Sequence, residues 1–133
     1  MYVVDTNVLS ALRRPDRAPG VANWLRARSE DQLFLSVITL GEIERGIALQ
    51  ENRDPGFARD LRRWIDRTCL LFADRVLPFE DEHARIWGKL SARIGHSGAG
   101  LQIAATALAH NAIVVTGNTR DFEPTGVEIE NPF

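Results

Sequence analysis

Short β-branched runs separated by longer helical patterns constrain this chain more than any other feature. Tyr2-Val3-Val4, Leu33-Phe34-Leu35-Ser36-Val37-Ile38, Val76-Leu77 and the run from Ala112 to Thr116 are apolar and strand-like. Such runs suit a buried, pleated setting. The segments between them are too long for hairpins, so the strands must run parallel with the connecting helices laid on the sheet faces. The pattern therefore predicts an α/β fold, a three-layer α/β/α sandwich with a mainly parallel central sheet. At 133 residues the chain can bury one core but not two, so residues 1–133 are expected to form a single domain.

The helical segments carry their own start and stop signals. Thr6-Asn7 offers capping side chains before Val8, Leu9 and Leu12, and Arg13-Arg14-Pro15 ends that helix. Pro19 opens the next, with Val21, Trp24 and Leu25 on one face. Thr39 is expected to cap a helix bearing Leu40, Ile43 and Ile47. Phe57, Leu61, Trp64, Ile65 and Leu71 trace an amphipathic helix. Asp81 is expected to cap another, with Ala84, Trp87, Leu90 and Ile94 inward. Gly95 to Gly100 reads as a loop before the alanine-rich helix from Leu101 to His110, and Val127 and Ile129 suit an edge strand.

Charge excludes little. Sixteen basic against 18 acidic residues give −2, which argues against binding nucleic acid through bulk positive charge while leaving local patches open. Cys69 is the only cysteine, so an internal disulfide is impossible and a cysteine-based zinc site is not expected. The apolar runs are far below a membrane span, and Met1 leads straight into a strand-like segment instead of a signal peptide. A cytoplasmic protein with no membrane partner is expected.

In open parallel sheets the ligand site lies beyond the carboxyl ends of the strands. Asp5 ends the first strand, Ser36 and Thr39 flank the end of the second with Glu42 just beyond, and Thr116, Asn118 and Asp121 follow the Ala112–Thr116 run. Each has an ordinary use: Asp5 as a helix N-cap, Glu42 as a first-turn dipole partner, Asp121 as a turn residue. Together they direct three carboxylates to one edge of the sheet. Clustered carboxylates repel unless a cation sits among them, and an all-oxygen set suits Mg²⁺ or Mn²⁺. Metal-assisted hydrolysis of a phosphodiester is the chemistry that best fits. Glu44, two residues from Glu42, lies on a different helix face and reads as solvated.

Val3-Val4-Asp5-Thr6-Asn7-Val8-Leu9, Ser36-Val37-Ile38-Thr39-Leu40-Gly41-Glu42, Ile103-Ala104-Ala105-Thr106-Ala107 and Thr116-Gly117-Asn118-Thr119-Arg120-Asp121-Phe122 together resemble the signature of PIN-domain ribonucleases. The ending Asn131-Pro132-Phe133 is similar too. The likeness runs through the whole chain and is nearest to the VapC toxins of type II toxin–antitoxin pairs. It implies a Mg²⁺- or Mn²⁺-dependent endoribonuclease cutting RNA of the tRNA or rRNA class. It also implies a homodimer held by a VapB-type antitoxin, through which alone operator DNA would be reached. By position, Asp5, Glu42 and Asp121 match the first, second and fourth acidic residues, with Asp5 and Asp121 on the metal. Thr6, Thr116 and Asn118 match the polar residues that orient them.

The third acidic position falls on Gly100, where the family has an aspartate that contacts the metal. No residue between Lys89 and Asn111 is acidic, so no shift of alignment supplies one. An impaired nuclease is expected, and the alternative is a catalytically inactive toxin-fold subunit that only dimerises and holds its antitoxin. A phosphotransferase using Asp5 as nucleophile needs a second aspartate where Asn7 stands, and no phosphate-cradling glycine loop is present. Arg59, Arg63 and Arg67 recur every four residues and could form a stripe for RNA phosphates, although a solvated face is the plainer reading. Trp24, Trp64 and Trp87 read as packing residues, and His83, His96 and His110 as structural or surface ones.

Overall fold

The computed structural model describes residues 1–133 and contains five parallel strands: β1 (Tyr2–Val4), β2 (Leu33–Ser36), β3 (Val76–Leu77), β4 (Ile113–Val115) and β5 (Ile129–Glu130). Their order across the sheet is β3-β2-β1-β4-β5. The chain thus walks outward in one direction from β1 and then in the other from β4. The switch point lies between β1 and β4, and that is where an open sheet leaves a crevice.

Alternation along the strands makes the layers. Val3 and Val4 are both fully buried, yet they enter different apolar clusters on opposite faces, as do Val114 and Val115. On one face lie α5 (Asp81–Ile94), α6 (Ala99–Ala109) and α7 (Thr119–Phe122), whose Leu90, Ile103 and Phe122 join the Val3 cluster. On the other, α1 (Thr6–Ala11), α2 (Pro19–Arg26), α3 (Val37–Gln50) and α4 (Pro55–Leu71) bring Val8, Leu9, Val21, Ile43, Ile47 and Ile65 against Val4. The expected α/β/α sandwich is present, with a sheet that is wholly parallel. The longest helix has 17 residues, and none is long and apolar enough to cross a membrane.

Several boundaries differ from expectation. The second strand stops at Ser36, whose hydroxyl accepts from the Ile38 N–H and caps α3; Val37, Ile38 and Thr39 are already helical. Asp5, not Thr6 or Asn7, caps α1. Glu80 instead of Asp81 caps α5, and His83 Nδ1 accepts the Glu80 N–H at 2.9 Å to close a reciprocal cap. That bond turns His83 inward and leaves Ala84 exposed, while Leu90 is buried and Trp87 and Ile94 pack against the core as expected. Leu71 ends α4 exposed, because the helix overshoots the layer it covers. The glycine loop ends at Gly98, so Gly100 lies in the first turn of α6.

Candidate functional site

Asp5 leaves β1 in an extended conformation and turns directly into α1. Its carboxylate is therefore held at the carboxyl edge of the sheet, and the residue is only 7% exposed. One oxygen accepts from the Thr6 N–H at 2.8 Å, and the other accepts from the Thr116 hydroxyl at 2.7 Å. Thr116 follows β4, so this bond closes across the switch point. The Thr116 oxygen also accepts from the Asn118 N–H at 2.9 Å. A hydroxyl has one proton to give, and here it is committed to Asp5.

The other two carboxylates are oriented in the same way, by a neighbour's donor. The Thr6 hydroxyl donates to Glu42 at 2.6 Å and lies 3.1 Å from the Thr39 hydroxyl, tying α1 to α3. The Asn118 side-chain amide donates to Asp121 at 2.7 Å. Asp5, Glu42 and Asp121 line one cavity of about 550 Å³ together with Asn118 and Gly100. Of the residues singled out around this edge, Asp5, Thr6, Glu42, Gly100, Asn118 and Asp121 line the cavity. Thr116 is bonded to Asp5 behind the wall, while Ser36 at the end of β2 and Thr39 in α3 are buried and do not line it.

Charge in the cavity is unsettled. Burial pushes the Asp5 carboxyl above the usual aspartate range, and the carboxylates of Glu42 and Asp121 push it further the same way. The bonds from Thr116 and Thr6 oppose that rise without cancelling it. A cation among these groups would relieve the repulsion. No three His, Cys, Asp or Glu side chains converge into a ready-made metal cage. The donor set is all oxygen and opens on a roomy cavity, which suits a hard cation taking one or two carboxylates and completing its shell with water.

Gly100 lies on the cavity wall at the second residue of α6. A Cβ built there meets only the Phe122 ring, at 3.7 Å, an ordinary contact. A Cβ is accommodated at this position without a clash, and glycine brings no charge to the cavity.

Sequence reasoning missed two residues. Asn7 lines the cavity, and its side-chain amide reaches Gly117 N–H at 3.4 Å and the Thr116 oxygen at 3.5 Å, spanning the switch point. His96 also lines the cavity, its Nδ1 accepting from the Gly98 N–H at 3.2 Å. Asn7 follows Asp5 closely enough that its placement could have been read from the strand end; His96 carries no comparable spacing signal. Glu44, by contrast, faces away and pairs bidentately with Arg62 of α4, at 2.7 Å for the longer bond. The proposed arginine stripe is not brought to the cavity. Arg63 is spent on Asp60, and Arg59 and Arg67 are exposed and line no part of the cavity.

Comparison with known proteins agrees with the motifs. The family model described as "PIN domain" matches residues 2–127. The chain is 38% identical to the VapC ribonuclease Y4jK of Sinorhizobium fredii, over 100% of this chain and 98% of that protein. It is 33% identical to Toxin FitB of Neisseria gonorrhoeae, over 100% and 99% respectively. Among solved structures it is similar to FitAB bound to an IR36 DNA fragment, with a TM-score of 0.83 and 33% identity over 99% of this chain and 95% of that one. With its motifs, its sheet order and its full-length likeness in agreement, the chain belongs to the PIN-domain family, in the VapC group.

Proposed function

We propose that this chain is the toxin of a type II toxin–antitoxin pair and a Mg²⁺- or Mn²⁺-dependent endoribonuclease, weakened by glycine at position 100. The observation that carries the reading is the meeting of Asp5, Glu42 and Asp121, from three distant parts of the sequence, on one cavity where Asp5 is a reluctant anion. Structural carboxylates are normally paired with donors that lower their pKa; raised ones in a cleft mark functional sites more often.

In this reading Asp5 and Asp121 hold the cation, and Gly100 occupies the place of a further ligand. When bound, the ion supplies an acidified water and neutralises charge on the phosphoryl group. Thr116 and Asn118 fix the lone pairs of Asp5 and Asp121 that remain for it. Glu42, exposed and held by Thr6, is placed to take a proton from the attacking water. RNA of the tRNA or rRNA class is the proposed substrate, and a VapB-type antitoxin is the proposed partner of a homodimer. Operator DNA is reached only through that antitoxin, as the DNA-bound FitAB complex is in keeping with.

Purified chain should cleave RNA slowly with Mn²⁺, and Asp5→Asn should abolish the cleavage. Expressed with its operon neighbour, the chain should co-purify with a small partner. The second reading, a subunit that binds antitoxin without useful catalysis, rests on the missing charge at position 100. It is selected if the partner is retained and no cleavage is detected at any divalent concentration.

A further inference from the structure

Two further depressions flank the cavity at Glu42. Thr6 and Glu42 also line a second chamber of about 250 Å³ bounded by α1, α3 and α4. Within it the Arg13 guanidinium lies 5.0 Å from the centre of the Phe57 ring and 5.8 Å from that of Trp64. Arg13 takes part in no ion pair and no side-chain hydrogen bond. It is half-buried, fixed on an aromatic platform, and all its N–H donors are unspent. On the other side, Glu42 and Ala99 line a third chamber of about 410 Å³, which carries Arg45, exposed and likewise unpaired. Arg62, Arg63, Arg75 and Arg85 are by contrast spent on carboxylates of this chain.

We infer that the cavity and the two depressions that share its Glu42 wall form a track for a single RNA strand, in which Arg13, braced on Phe57 and Trp64, holds a phosphate on one side of Glu42 and Arg45 holds a phosphate on the other. This rests on the ribonuclease reading of the central cavity. A planar guanidinium stiffened by stacking matches a phosphate better than a mobile ammonium does. Local positive charge on both flanks also explains how a chain of net charge −2 can engage a polyanion. The sites are phosphate contacts and specify no base. The platform of Phe57 and Trp64 leaves the Arg13 edge, not its face, to the ligand.

The test is binding of a fluorescein-labelled single-stranded RNA, with Ca²⁺ as the divalent ion, followed by anisotropy over a salt series. Binding needs no turnover, so the glycine at position 100 does not obscure the result. Arg13→Gln and Arg45→Gln should each weaken binding about tenfold and lower the salt slope by about one unit, the double variant by about two. Arg13→Lys should keep the slope while losing part of the affinity, and it decides the matter if Arg13→Gln unfolds. Lys89→Gln, on the far side of α5, should bind as the parent does. Parent-like affinity and slope in both single variants overturns the track while leaving the nuclease reading intact, as does a loss seen instead in Arg59→Gln and Arg67→Gln. A parent chain that binds no RNA overturns the nuclease reading and the track with it.

Discussion

The Thr116 hydroxyl donates its single proton to Asp5 across 111 positions of sequence, at 2.7 Å and out of contact with solvent. The bond joins the ends of β1 and β4 at the point where strand order reverses. It therefore acts both as a clasp for the sheet edge and as the device that aims the Asp5 carboxylate at the cavity.

Removing that clasp should be costly. Thr116→Val keeps the volume and deletes the donor, leaving a buried carboxylate with only the Thr6 N–H. Bonds to charged groups contribute about 1.5–3 kcal/mol. A loss in that range is expected by urea denaturation at neutral pH, together with a further rise in the Asp5 pKa. An unchanged midpoint would show that the hydroxyl does not support Asp5.

Asp5 should itself be a stability burden. Its folded pKa lies above the ordinary value of 3.8. Below 3.8 both folded and unfolded chains carry it protonated. Above the raised folded value both carry it ionised, and only the folded chain bears the cost of burial. Its contribution is thus fully present below 3.8 and is lost as pH rises through the folded pKa. Asp5→Asn should be inactive yet melt higher than the parent at neutral pH, with the difference shrinking as pH falls toward 3.8. A variant that melts lower at pH 7 contradicts the assignment.

Divalent ions should relieve the same strain. Binding to the folded state alone stabilises by about 1.4 kcal/mol at ten times Kd. MnCl₂ should therefore raise the melting temperature of the parent, EDTA should reverse the shift, and Asp5→Asn should show little of it. An equal shift in parent and variant would place the ion elsewhere.

Glu42 and Glu44 provide a contrast on one helix. Glu42→Gln should remove RNA cleavage, since its oxygen is held toward the cavity by Thr6. Glu44→Gln should leave turnover intact, since its only partner is the exposed Arg62. Equal activity in the two variants would remove Glu42 from the site.

How much of this was legible in the sequence depends on the kind of signal. β-branched runs and long connections predicted the parallel sheet, and the strand-end rule located Asp5, Glu42 and Asp121 before any geometry was known. Element ends were harder. Ser36, Thr39, Thr6 and Asp5 are all competent caps, and only the strand exits chose Ser36 and Asp5. Gly98 starts α6 without a side chain, so nothing marked the boundary and Gly100 read as loop. His83 closing a cap on Glu80 is an uncommon pairing, and it puts His83 instead of Ala84 inward in the first turn of α5. The arginines were least legible: repetition on α4 drew notice, while Arg13 stood out only once Phe57 and Trp64 were seen beneath it.

The proposed nuclease site of Asp5, Glu42 and Asp121 is short of one carboxylate. Gly100→Asp restores it in a position where the Cβ meets nothing closer than 3.7 Å. A helix first turn favours an acidic residue by about 0.3–1 kcal/mol, so the fold should tolerate the change. Losing even an indirect metal contact typically costs about 10–100-fold, and restoring a direct one should return at least that much RNA cleavage with Mn²⁺. A folded Gly100→Asp chain that cleaves RNA no faster than the parent would contradict the account.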